Sequence, residues 1–162
     1  MAKKKKKKEP EDPTFQSIAK NRRVYHDYEV LDTFEAGMVL LGTEVKSLRN
    51  GNVSFNDAHG RVRNDEIWIH ELHIAPYAQG GYVNHKPTRP RKLLLHRKEI
   101  SSIQTRMGRM NLTLVPTELY FRKGRAKLML GVCRGKKKAD KRQALRKSQD
   151  DRSMQRALRG RD

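Results

Sequence analysis

The sequence has a single cysteine, Cys133, which excludes an intramolecular disulfide. It has no long apolar run. Gly37-Met38-Val39-Leu40-Leu41 is typical of what it offers, far short of the ~20 residues that a membrane-spanning helix needs. Lys3 to Lys8 match the charged start of a secretory signal, yet no apolar stretch follows them. Hydrophobic residues are scarce at 35% of the chain, below the usual range for a globular protein. These shortages point to a reducing, cytoplasmic setting. They also imply that part of the chain folds and part does not. Acids are scarce too: 18 Asp and Glu face 37 Lys and Arg, leaving +19. A surplus of that size calls for a polyanionic partner, and with membranes set aside that partner is nucleic acid.

The charge divides the 162 residues into three parts. Residues 1–13 carry six Lys against Glu9, Glu11 and Asp12, with Pro10 and Pro13. Such low complexity predicts a disordered, electrostatic arm. Residues 14–134 are the expected folded core. Residues 135–162 form a basic tail of strong helix formers. The apolar residues of this tail, such as Leu145, Met154 and Leu158, make no continuous stripe. The tail is therefore expected to be disordered when free and helical when phosphates neutralise its charge.

The core reads as mainly β. Tyr28 to Leu31 starts a strand, Glu35-Ala36-Gly37 suggests a turn, and Met38 to Leu41 continues the apolar run. Thr43 to Arg49 fits a short helix capped by Thr43 and stopped at Gly51. Asn52 to Arg63 and Glu66 to Ile74 read as strands around Asn64-Asp65. Residues 76–90, with Gly80-Gly81, Pro87 and Pro90, form a long loop before a short strand at Lys92 to Leu95. His96 to Met107 is a second helix, ended by Gly108. Leu112 to Phe121 and Arg125 to Cys133 flank a hairpin turn at Lys123-Gly124. Pro116 predicts a bulge or an edge there. Short strands with two or three flanking helices predict a small closed barrel of OB-like type.

Catalytic patterns are missing. His70-Glu71-Leu72-His73 lacks the spacing of a zinc helix, and no metal site is expected. Gly131-Val132-Cys133-Arg134-Gly135-Lys136 is one residue short of a phosphate loop, and Lys137 stands where magnesium needs a hydroxyl. Cys133 fits a buried strand position better than a nucleophile. No cofactor and no enzymatic activity are expected.

Binding patterns are present. Lys20-Asn21-Arg22-Arg23 leads into Tyr25-His26-Asp27-Tyr28, setting guanidinium groups beside rings able to stack on unpaired bases. Pro87-Thr88-Arg89-Pro90-Arg91-Lys92 is a stiff cationic loop. Gly135-Lys136-Lys137-Lys138 opens the tail. A generic ribosomal or OB-fold RNA-binding protein would account for this much.

Three longer strings go further. They are Glu35-Ala36-Gly37 with Gly42-Thr43-Glu44-Val45-Lys46-Ser47-Leu48-Arg49, then Asn84 to Leu95 (NHKPTRPRKLLL), then Gly135 to Arg142 (GKKKADKR). In this order and spacing they resemble the SmpB family, the SsrA-binding proteins that partner bacterial tmRNA. The resemblance runs from about Asn21 to Arg142. It implies an OB-like barrel that binds the tRNA-like domain of tmRNA and enters stalled 70S ribosomes. The tail would then lie in the empty mRNA channel of the small subunit, helical against ribosomal RNA. Elongation factor Tu would be an indirect partner through aminoacylated tmRNA, and the protein would act as a monomer. Matched position by position, the resemblance assigns Asn21, Glu35 and Leu94 to tmRNA binding. The cations Arg22, Arg23, Lys46, Arg49, Arg89, Arg91 and Lys92 join them as RNA-binding candidates. His26, with Lys136, Lys137, Lys138, Asp140, Lys141 and Arg142, would face the decoding centre and the channel. Two positions depart from the family: Ala139 stands where relatives often carry histidine or an aromatic, and His59 where they often have tyrosine.

Overall fold

The computed structural model describes residues 14–109, 111–137, 146 and 149–155. The expected Lys-rich arm, residues 1–13, lies outside the described residues, as do Lys138, Ala139, Asp140, Lys141 and Arg142. Nine strands and three helices follow in order: β1 (Phe15–Lys20), α1 (Arg22–Asp27), β2 (Tyr28–Met38), α2 (Gly42–Arg49), β3 (Val53–Ser54), β4 (His59–Arg63), β5 (Glu66–His70), β6 (His73–Ile74), β7 (Arg91–Leu94), α3 (Arg97–Arg109), β8 (Thr113–Arg122) and β9 (Arg125–Gly135). In the tail, residues 149–155 are helical. The chain is mainly β, as its sequence predicts.

Seven strands form one antiparallel sheet in the order β1-β8-β4-β5-β7-β2-β9, and β8 also pairs with β9. The sheet therefore curls back on itself. The expectation of a closed barrel is met only in part, because the β4–β8 seam rests on a single pair, Gly60↔Leu114. Gly60 is needed there: a Cβ on it would lie 2.6 Å from the Leu114 Cβ. A core of Ile67, Ile69, Leu93, Leu119, Leu128 and Leu130 fills the curl, and α3 covers it with Ile100 and Ile103.

Turn chemistry follows the sequence closely. Asn64-Asp65 and Lys123-Gly124 both adopt positive φ, 49° and 56° then 49° and 72°, as tight hairpins of right-twisted strands require. The ladder shifts register between Pro116 and Glu118. Proline cannot donate to it, so a bulge sits at the predicted place.

Local expectations are corrected at three places, and two elements are additional. Glu35-Ala36-Gly37 is no turn but part of β2, near its far end. Glu35, Ala36 and Gly37 pair with Met129, Leu128 and Lys127 on β9, while Gly37 also pairs with Leu94 on β7. Paired along β9 and joined by β7 at Gly37, this stretch stays extended, and its glycine admits the Leu94 Cβ at 3.3 Å from where its own would stand. Thr43 does not cap α2. Glu44 does, accepting the Leu41 N–H at 2.7 Å, while the Thr43 hydroxyl meets His85 Nδ1 at 3.0 Å. Gly108 does not end α3, which runs through Arg109. Finally, β1 and α1 were not legible in the polar stretch that holds them.

Candidate nucleic-acid interface

The predicted residues gather at opposite ends of β2, about 23 Å apart at the usual rise of a strand. At its start, α1 turns the chain from β1 into β2. Only Val24 of α1 is buried, packing with Val115 and Cys133 in a small second core. Cys133 is thus a packing residue, and burial pushes its thiol up to about 11. Such a thiol is a poor nucleophile. The Asn21 side chain donates to the Pro116 carbonyl at 3.0 Å, and its backbone N–H donates to Thr117 at 2.8 Å. Asn21 therefore ties α1 to the bulge of β8.

The rest of α1 faces solvent. Arg22, Arg23, Tyr25 and His26 are all exposed. Arg23 pairs with Asp27 at 3.2 Å, and His26 Nδ1 lies 2.9 Å from the same carboxylate. The base of the tail docks here. The Lys136 backbone N–H donates to the Asp27 carbonyl at 3.0 Å, and its ammonium donates to the Tyr25 carbonyl at 2.8 Å. His26 and Lys136, predicted together, are brought together. Arg22 and Arg23, predicted with Glu35, share the helix of His26 instead.

At the other end, Glu35 and Leu94 line one groove of about 630 Å³ together with Arg125, Lys127 and His96. Leu94 is 52% exposed, so it is not a core residue. Glu35 accepts from the Tyr120 hydroxyl at 2.5 Å and pairs with Lys127 at 3.3 Å and Arg122 at 3.4 Å. The Tyr120 hydrogen bond, helped by Lys127 and Arg122, outweighs the burial penalty and holds the Glu35 carboxyl below its usual value. Glu35 is therefore ionised and orients a tyrosine and two cations at the rim. Tyr120, Arg122, Arg125 and Lys127 were missed in the sequence. The alternation of Ala126, Leu128 and Leu130 was the available signal, since it turns Arg125 and Lys127 outward.

The basic loop is the main correction. Arg91 is fully enclosed, at 0% exposure. Its guanidinium donates to Glu44 and Pro87 at 2.8 Å and also to the Leu72 carbonyl. Arg89 donates to the same Glu44 at 2.8 and 2.5 Å. Burial alone would raise Glu44, but bonds from Arg89, the Leu41 N–H and Arg91 outweigh it and hold the carboxyl low. Arg91 thus has no surface to offer an RNA, and Arg89 offers part of one. Both anchor the loop to α2. Lys92 pairs with Glu66. Lys46 lies 5.3 Å above the Tyr77 ring, and Arg49 is exposed at the end of α2.

Among the described residues no cluster of His, Cys, Asp and Glu is arranged to hold a metal, and no helix is long and apolar enough to cross a membrane. A curled β core with exposed cations, rings and, at Lys136, the docked base of a basic tail defines a small protein of the nucleic-acid-binding class. Comparison with known proteins narrows this. The family model described as SmpB protein matches residues 18–160, so the chain belongs to the SmpB family. An SsrA-binding protein of Thermobifida fusca is 49% identical over 99% of both chains. One from Corynebacterium efficiens is 51% identical over 98% of this chain and 94% of its own length. A solved structure described as "tmRNA-SmpB: a journey to the center of the bacterial ribosome" superposes with a TM-score of 0.65 at 46% identity, covering 79% of this chain and 94% of that one.

Proposed function

We propose that the chain is a tmRNA-binding ribosome-rescue factor. It binds the tRNA-like domain of tmRNA, carries it to stalled 70S ribosomes in the cytoplasm, and lays its basic tail along small-subunit RNA in the empty mRNA channel. Tagging of the nascent chain then follows. Elongation factor Tu joins through aminoacylated tmRNA, and the protein acts as a monomer without cofactor or catalysis. The observation that carries this reading is the groove at the end of β2. Glu35 and Leu94, far apart in sequence and both picked out by the family strings, line it together with Lys127. The α1 surface supports the second half, because it holds His26 beside the docked base of the tail. The curled sheet, with a pairing at its seam, supports the OB-like barrel.

Filter binding across a salt series tests it. Contacts to phosphate alone weaken steeply as salt rises. A shaped tRNA-like ligand should be retained over an unrelated hairpin at salt that strips the hairpin. Equal affinity for the two RNAs at every salt concentration would reject the reading in favour of a generic RNA binder.

A further inference from the structure

We infer that the outer face of the β4–β5 hairpin is a second RNA contact, a platform on which one unpaired base stacks against Trp68. Ile67 and Ile69 are fully buried, so the alternate residues Trp68 and His70 face outward. Arg61 pairs across the ladder with Trp68, and His59 with His70. The two imidazoles lie 5.7 Å apart at 18°. The contacts of His59 fix its tautomer: Nδ1–H donates to the Asp57 carbonyl at 2.9 Å, leaving Nε2 to accept from Arg61 Nε at 3.2 Å. That bond fixes the guanidinium in the groove it shares with Trp68 before any ligand arrives. Trp68, Arg61, Arg63, His70 and Pro90 line a groove of about 640 Å³.

An indole sharing a groove with two guanidinium groups, one of them held by His59, suits an unpaired base followed by its phosphate. The one acid at the groove, Glu66, is already engaged by Lys92, and the surrounding chain carries +19. A nucleic acid fits this surface better than an acidic or apolar peptide. The platform is continuous with the groove of Glu35. Lys92, the partner of Trp68, and Leu94 stand two apart on β7, and Leu94 opposes Gly37 of β2. This rests on the proposed function only for which RNA arrives.

Trp68 is the only tryptophan, so its emission reports on the platform directly. The full chain is titrated with the tRNA-like domain of tmRNA and with an unstructured oligouridine. Emission should change saturably and in step with the fraction bound. Trp68→Ala should weaken binding on the order of tenfold, the scale of one lost base stack, and Trp68→Phe should restore most of it. Unchanged emission at saturating RNA, or equal losses for Ala and Phe with native thermal melts, would overturn the platform. Wild-type binding to tmRNA with silent emission rejects the platform alone. A saturable emission change with oligouridine but no preference for tmRNA upholds the platform and rejects the proposed function.

Discussion

Glu44 is the residue on which the long loop depends. It sits at 0% exposure and accepts from two guanidinium groups, one of them equally buried. Removing one member of such a cluster leaves an uncompensated charge in the interior. Glu44→Ala should therefore cost about 3–5 kcal/mol of stability, measured by urea melts. Glu35 and Glu44 both have lowered carboxyl values. A lowered folded value adds stability that is fully present above the unfolded value, near ~4.3, and is lost as pH falls through the folded one. The melting temperature should stay flat from neutral pH to about 5 and fall below about 4. A melting temperature rising on acidification would contradict this assignment of charge.

At the scale of elements, the seam between β4 and β8 is the weak point of the curl. Its single pair leaves no room for a methyl group on Gly60. Gly60→Ala should cost about 1–3 kcal/mol by forcing the strands apart. Gly108 is the contrast. It lies within α3 with nothing within 4 Å of its missing Cβ, so Gly108→Ala should gain up to about 1 kcal/mol from helix propensity. Paired thermal melts of the two variants read both signs at once. A destabilised Gly108→Ala would mean that the helix is not formed there.

At the scale of the whole molecule, the α1 surface and the tail present positive charge with different anchoring. The α1 end is built into the fold, while the tail is tied to it at Lys136 by two hydrogen bonds to α1 carbonyls. Truncation after Lys137 keeps both bonds. The truncated protein should bind tmRNA within about twofold of the full chain, with a shallower salt slope for bulk RNA because phosphate contacts are lost. Tagging in a translation extract should vanish. Loss of tmRNA binding on truncation would show that the tail serves the first RNA as well as the ribosome.

Sequence alone determined what depends on local chemistry and composition. Positive-φ turns at Asn64-Asp65 and Lys123-Gly124, the Pro116 bulge and the mainly β character follow from intrinsic backbone preference and period. The charge surplus names a polyanion, and the three strings point to the family. Tertiary structure alone decided how side chains of like character divide between surface and interior. Arg91 reads like Arg22 in the sequence, yet it is buried because Glu44 and the Leu72 and Pro87 carbonyls converge on it from other elements. Glu35 reads like a turn residue, yet it lies within a strand because β9 pairs with it at Met129 and β7 takes up the residues from Gly37 onward. Trp68 and Arg61 are unremarkable seven residues apart, and become one surface only through the register of a hairpin. A guanidinium group carries the same charge in every string, and what it can do depends on which acids and carbonyls the fold brings to it.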